Sequence, residues 1–219
     1  RRTQRNHTAT HLLHAALRAT LGTHVVQRGS LVDPGRLRFD FAHTAPMTAQ
    51  EKATVERIVN EGIWADHPVV TETMAHADAV AKGAMALFGE KYGDVVRVVD
   101  IPGVSTELCG GTHVSHTGDI GLFKLTSESG VSAGVRRVEA VSGSGAFLYF
   151  SEREAWLEEA ASLLGATPEH TVGRIGQLLD EKKELANLLD DLRTGGGAGE
   201  TSVAEARVEV NGTSAVIKA

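Results

Sequence analysis

Only one cysteine, Cys109, stands in these 219 residues. No internal disulfide can form, so a reducing, cytoplasmic setting is expected. Long apolar runs are missing as well: no stretch reaches the ~20 residues needed to cross a bilayer, and no signal peptide opens the chain. Excess positive charge, the usual mark of a nucleic-acid binder, is also lacking, since the net charge is −6. The chain opens Arg1-Arg2-Thr3 with no initiator Met, from which a piece of a longer polypeptide is expected. What remains, 42% hydrophobic and 23% charged, is an ordinary globular composition with room for one cored domain and an appendage.

The charge is unevenly spread. Residues 1–40 carry seven Lys/Arg against two Asp/Glu, while residues 151–219 carry seven against thirteen. The basic N-terminal segment fits contact with a short phosphate run, and equally an unevenly charged surface.

Two stretches carry chemistry. In Asn6-His-Thr-Ala-Thr-His-Leu-Leu-His14, His7 and His11 are four apart, a spacing that sets both imidazoles on one helix face, one turn apart. In Cys109-Gly-Gly-Thr-His113, the thiol precedes another imidazole by four residues across a glycine pair. Together they make an N/S set suited to tetrahedral Zn²⁺. Thr8 and Ala9 stand where a metalloprotease helix would place its glutamate, which argues against peptide hydrolysis. His14 and His116 are spare imidazoles near the two pairs, so the fourth ligand is open at this level. Four protein ligands would mark a closed site and three an open, water-bearing one.

The patterning predicts an α+β domain over residues 1–142. An amphipathic helix is expected over 4–22, with Leu12, Leu13, Ala16, Leu17 and Leu21 as its stripe. Strands are expected at 24–33 and 37–41 around Asp33-Pro34-Gly35. A capping box, Thr48 with Glu51, opens a helix to about residue 64. Further strands are expected at 68–74, 94–101 (fully buried), 120–127 and 135–141, with a short helix at 76–86 and a loop leading to Cys109. Residues 143–193 read as helical: one helix at 146–164, and a longer one capped at Thr167-Pro168 whose Leu178, Leu185 and Leu192 recur every seven residues as an imperfect coiled-coil seam. A Gly-rich linker follows at 194–205. Residues 206–219 would begin another domain, with a hairpin turning at Asn211-Gly212.

The two histidine-bearing stretches, with Gln27-Arg-Gly-Ser30, Leu37-Arg-Phe-Asp-Phe41 and Gly134-Val-Arg-Arg-Val-Glu-Ala140, resemble the editing domain of alanyl-tRNA synthetase. The later helices resemble the coiled coil that follows it, and the last strands the start of its C-terminal domain. The resemblance implies a zinc-dependent deacylase that hydrolyses Ser-tRNA(Ala) or Gly-tRNA(Ala), within an enzyme that ligates alanine to tRNA(Ala) using ATP. It implies His7, His11, Cys109 and His113 as zinc ligands, Gln27 as a residue tied to editing, and contact with the tRNA acceptor end. Ser30 is a candidate hydroxyl contact and Arg137 a candidate for the terminal phosphate or adenine. A homodimer through the C-terminal helices is a further expectation. Two alternatives stand beside it. The related editing module of threonyl-tRNA synthetase is disfavoured by Gly110-Gly111 and by Gly134-Val-Arg-Arg137, and a zinc-stapled tRNA-binding or dimerisation module would have no catalysis.

Overall fold

The computed structural model describes residues 1–86, 92–194, 205–210 and 213–218. The chain divides into two compact units, Arg1–Ala155 and Trp156–Ala219. The first is α+β. Helix α1 (Arg2–Leu21) leads into β1 (Gln27–Val32) and β2 (Leu37–Ala42), then helix α2 (Ala49–Trp64). Strand β3 (Val70–Ala75), helix α3 (His76–Ala81), β4 (Val95–Ile101) and β5 (Ser105–Leu108) follow, then a 3-10 turn at Thr117–Ile120, β6 (Phe123–Ser132) and β7 (Val135–Ser142). Helix α4 (Ser144–Leu163) begins in this unit and ends in the next. The expected break at residue 142 coincides with the end of β7, but the compact unit continues into α4.

In this first unit the described strands form two antiparallel sheets, in strand orders β1-β2-β7-β6 and β3-β4-β5. The β1–β2 turn closes as its residues require: the Asp33 Oδ1 accepts from the Gly35 and Arg36 amides at 2.6 and 2.8 Å. On β2, Leu37, Phe39 and Phe41 alternate into the core, facing Ala140 and Val138 of β7. Helix α1 packs against this sheet and α2. Its middle, Thr8 to His14, is buried on every side, so the expected apolar stripe is only part of a wholly enclosed helix.

Helix α2 starts with the full capping box, Thr48 and Glu51 each bonding the other's backbone. Its Asn60 is buried and bonds both the N–H and the carbonyl of Phe123, at 2.9 and 3.0 Å. Glu56 holds Lys124 and the Leu125 amide. Helix and β6 are thus joined by side chains rather than by apolar contact alone.

Several boundaries differ from expectation for local reasons. Residues 117–120 form a 3-10 turn, and β6 begins only after Gly121, whose φ of +86° suits glycine. Helix α3 stops at Ala81 rather than 86, because Gly83 at φ +83° closes a Schellman motif: the Ala84 amide reaches the Ala79 carbonyl and the Gly83 amide that of Val80. Strand β4 is not buried throughout, since Val95 is exposed. Strand β5 stands where the patterning predicts a loop. At four residues it is too short to show alternation, and Glu107 disguises its inward face.

In the second unit, Pro168–His170 form a 3-10 turn and α5 runs Thr171–Thr194. Strands β8 (Glu205–Val210) and β9 (Thr213–Lys218) pair antiparallel. Of the linker expected over 194–205, Thr194 instead ends α5 and Glu205 opens β8, while residues 195–204 and the turn residues Asn211 and Gly212 lie outside the described residues. No helix among the described residues is long and apolar enough to cross a membrane.

Replacing Asn60 with Ala should strand the two buried backbone groups of Phe123, at about 1–3 kcal/mol for each group. Chemical denaturation of the variant against the parent chain would measure the loss.

Candidate metal centre

Helix α1 supplies the first two side chains. Being four residues apart, the His7 and His11 rings stack with centroids 5.4 Å apart. The loop after β5 brings Cys109 and His113 to them. His113 lies 4.3 Å from the His7 ring and 5.0 Å from the His11 ring. One atom from each of His7, His11, Cys109 and His113 can be chosen so that all four lie within 4.8 Å of one another. The Cys109 Sγ is 3.4 Å from the Nε2 atoms of both His7 and His113. Tetrahedral zinc with ordinary bond lengths places N and S ligands about 3.5 Å apart. His14 and His116, the spare imidazoles, are not in this set. His14 turns its Nδ1 to Glu107, and His116 sits in a β-bridge with Pro68.

An orphaned atom makes the fit more specific. The His11 Nε2 is buried and has no hydrogen-bond partner among the described residues, while its Nδ1 is 2.9 Å from the Glu107 carboxylate. A carboxylate accepts, so Nδ1 carries the hydrogen and, in the neutral ring, Nε2 keeps its lone pair, the carboxylate–histidine arrangement that supports metal ligands. His113 has a similar support. Its Nε2 faces the thiol, and its Nδ1 lies 3.2 Å from the Thr8 hydroxyl, which also accepts the Val114 amide. Burial works against charge on Cys109, but the surrounding imidazoles of His11, His113 and His7 outweigh it and hold the thiol down to about 3. The site therefore presents a thiolate. Burial also opposes charge on His11, yet Glu107 raises it to about 10. A proton there and a cation at the centre exclude one another. For His113 burial prevails and the value falls, keeping the ring neutral and free to ligate.

The loop geometry has two determinants. The Arg97 guanidinium on β4 donates to the carbonyls of Cys109 and Gly111, and its own carbonyl accepts the Cys109 amide. Gly111 packs against His7 so tightly that a Cβ there would overlap the imidazole. Asn6 anchors the start of α1, donating to the Asp33 carbonyl and accepting from Ser142.

The other expected site residues are not members of the cluster. Gln27, the first residue of β1, donates to the Ser30 hydroxyl at 3.1 Å and lines a cavity with His14 and Glu107. Ser30 is exposed. Arg137 makes a two-point pair with Asp40, at 2.7 Å for both bonds, on the sheet face opposite Phe39 and Phe41. Arg136 is paired with Glu128. Glu107 and Arg97 are the residues that sequence reasoning did not single out. For Glu107 a signal existed: an acidic residue two positions before the thiol, in the short run Ser105-Thr106-Glu107-Leu108.

Gly111→Ala should push His7 off the centre and weaken metal binding by ~10-fold or more, the scale set by losing a ligand's support. Gly110→Ala, where a Cβ meets open space, should bind metal normally. Metal titration of both variants checks this. The metal-free protein should also show a stability profile with two limbs. The depressed Cys109 contributes stability above its ordinary 9.0 and gives it up as pH falls toward 3, whereas the raised His11 contributes below 6.5 and gives it up as pH climbs to 10. Tm should rise with pH up to about 6.5, level off, then fall beyond 9. Cys109→Ala should flatten the acid limb in thermal melts.

Comparison with known proteins gives the fold and cluster relatives. Residues 96–139 match the family described as the Threonyl and Alanyl tRNA synthetase second additional domain. The chain is 57% identical to the alanine–tRNA ligase of Xanthomonas campestris pv. campestris (strain 8004), over 197 residues that make 90% of this chain and 22% of that protein. It is 56% identical to the alanine–tRNA ligase of Bordetella pertussis (strain Tohama I), over 213 residues that make 96% of this chain and 24% of the relative. It therefore spans about a quarter or less of the length of these relatives; over most of its own length it is similar to a piece of the alanine–tRNA ligases, and over residues 96–139 it matches the second additional domain described for threonyl and alanyl tRNA synthetases.

Proposed function

We propose that this chain is the editing part of an alanine–tRNA ligase, hydrolysing the ester that joins serine or glycine to the 3′-terminal adenosine of tRNA(Ala). The observation that carries this reading is the convergence of His7, His11, Cys109 and His113 on one point, with Cys109 and His113 inside the stretch that matches a domain of threonyl and alanyl tRNA synthetases. The need for such a step is physical. A pocket shaped for alanine discriminates a missing methyl or an added hydroxyl by only ~1–3 kcal/mol, so a second, hydrolytic sieve is required. Ligation of alanine to tRNA(Ala) with ATP by the whole protein belongs to the same proposal.

The four clustered residues would hold Zn²⁺, which suits three imidazoles and a thiolate. When bound, the ion supplies a Lewis acid that can polarise an ester carbonyl or orient the aminoacyl group. Four protein ligands have the form of a closed site, which leaves the handling of water and protons to the chain's own groups. Gln27 would be the catalytic side chain, its amide reaching the aminoacyl group or a water, and Ser30 a hydroxyl contact to the substrate; Gln27 lining one cavity with Glu107 and its bond to Ser30 support this. Arg137, oriented by Asp40, is the proposed contact for the terminal phosphate or adenine. The basic segment over residues 1–40 suits the acceptor end of the tRNA, and a single metal-binding thiol suits a cytoplasmic setting. On α5, Ile175, Leu185, Leu189 and Leu192 are exposed, which supports pairing with the helix of a second copy as a coiled coil.

Ser-tRNA(Ala), Gly-tRNA(Ala) and Ala-tRNA(Ala) incubated with the zinc-loaded protein should lose serine and glycine and keep alanine. Cys109→Ala should slow deacylation by more than the ~10–100-fold typical of losing a ligand's outer support. Equal rates for the variant and the parent chain would refute a role for the metal centre.

A further inference from the structure

Beside the metal cluster lies a cavity of about 260 Å³ lined by His14, Arg18, Val26, Gln27, Met85 and Glu107. His14 is the unexplained member. It is 5% exposed, with its ring 5.3 Å from Phe39. Its Nδ1 lies 3.1 Å from one Glu107 oxygen, and its Nε2 is buried with no partner among the described residues. A merely structural core histidine has both nitrogens paired, because an unpaired buried group costs about 1–3 kcal/mol.

Glu107 fixes the chemistry of this ring. One oxygen receives the Ser105 hydroxyl at 2.7 Å and the His14 Nδ1, and the other receives the His11 Nδ1 at 2.9 Å. An acceptor so surrounded must be met by hydrogens on both imidazoles. Each neutral ring then keeps its lone pair on Nε2. For His11 that lone pair is turned to the metal cluster. For His14 it is left over, and both His14 and Gln27 line the cavity.

We propose that His14 is the general base of the deacylation, with Glu107 orienting it by the bond to Nδ1. This rests on the editing reading above. The arrangement has the same parts as the carboxylate–imidazole pairs of hydrolases: a buried carboxylate on Nδ1–H, and Nε2 free to take a proton. In the step, a water oxygen bonds to the ester carbonyl carbon as its proton passes to the His14 Nε2. The bond from that carbon to the ribose oxygen then breaks, and the ribose oxygen takes the proton back. The products are the free amino acid and the 3′-terminal hydroxyl, and no outside reagent is consumed. Glu107 does not change its own protonation, and it ties the base to a metal ligand through one side chain.

The test is single-turnover and steady-state deacylation of Ser-tRNA(Ala) by the zinc-loaded parent chain, His14→Gln and His14→Ala, with zinc content and Tm measured on each. Glutamine can keep the bond to Glu107 but cannot accept a proton in turnover. His14→Gln should lower kcat by ~10²–10⁴, with KM and zinc content close to those of the parent chain, and added imidazole should restore part of the His14→Ala rate. If kcat per zinc-loaded His14→Gln molecule stays within about a factor of two of the parent, far from the 10²-fold minimum for a base, the proposal is overturned. A loss that tracks zinc content or Tm alone overturns it as well. A parent chain that leaves Ser-tRNA(Ala) intact under these conditions overturns the editing reading, and the base with it. An active parent with an unimpaired His14→Gln overturns the base alone.

Discussion

Burying a helix on all sides while it carries asparagine, threonines and histidines is the constraint on which this structure rests. Each polar group taken from water must find a partner inside, at a cost of several kcal/mol if it does not. The partners come from elsewhere in the chain. Asn6 is held by the β1–β2 turn and by the end of β7, and Thr8 by the backbone after His113. His11 and His14 share Glu107 of β5. Apolar packing of Leu12, Leu13 and Leu17 brings α1 into the core, but the polar partners select its rotation and register. Assembly of the site and completion of the core are therefore one event.

Electrostatics inside that core follow the same rule. Burial disfavours an ionised Glu107, and His11 and His14 more than offset it, holding the carboxyl well below its usual range. The thiolate of Cys109 is likewise held by three imidazoles. Without a cation, a proton on His11 balances these charges. A divalent ion can replace that proton, so affinity for metal and affinity for protons are coupled at one nitrogen. Arg97 lies outside this exchange, since it acts on the carbonyls of the loop and fixes where the thiol points.

What could be read from the sequence was what short-range geometry dictates. The spacing of His7 and His11, the capping box at Thr48 and the Asp33 turn are each set by residues within four positions, and each appears where expected. The meeting of α1 with the Cys109 loop is a long-range matter, visible only as two stretches with compatible chemistry. Glu107 is hard to recognise because its role comes from β5 lying beside α1, and β5 is too short to announce itself. Arg137 shows the opposite difficulty. Alternation along β7 separates its face from that of Arg136, but nothing local reveals that Asp40 stands directly opposite in the register.

A tetrahedron filled by protein ligands and a hydrolytic reaction make different demands. The first excludes water from the ion, and the second needs water with a base beside it. Separating the two tasks resolves the conflict if the ion orients and the protein moves protons. The chain has the parts for that division, with three imidazoles committed to the cluster and a fourth left with a free lone pair. Glu107 joins them, so a shift in the cluster that moves His11 is passed to His14 through a single rigid carboxylate. Such a link needs no moving element, because the two histidines are fixed on one helix three residues apart and the carboxylate spans them. The helical spacing that pairs His7 with His11 thus also sets the distance between His11 and the proposed base, His14.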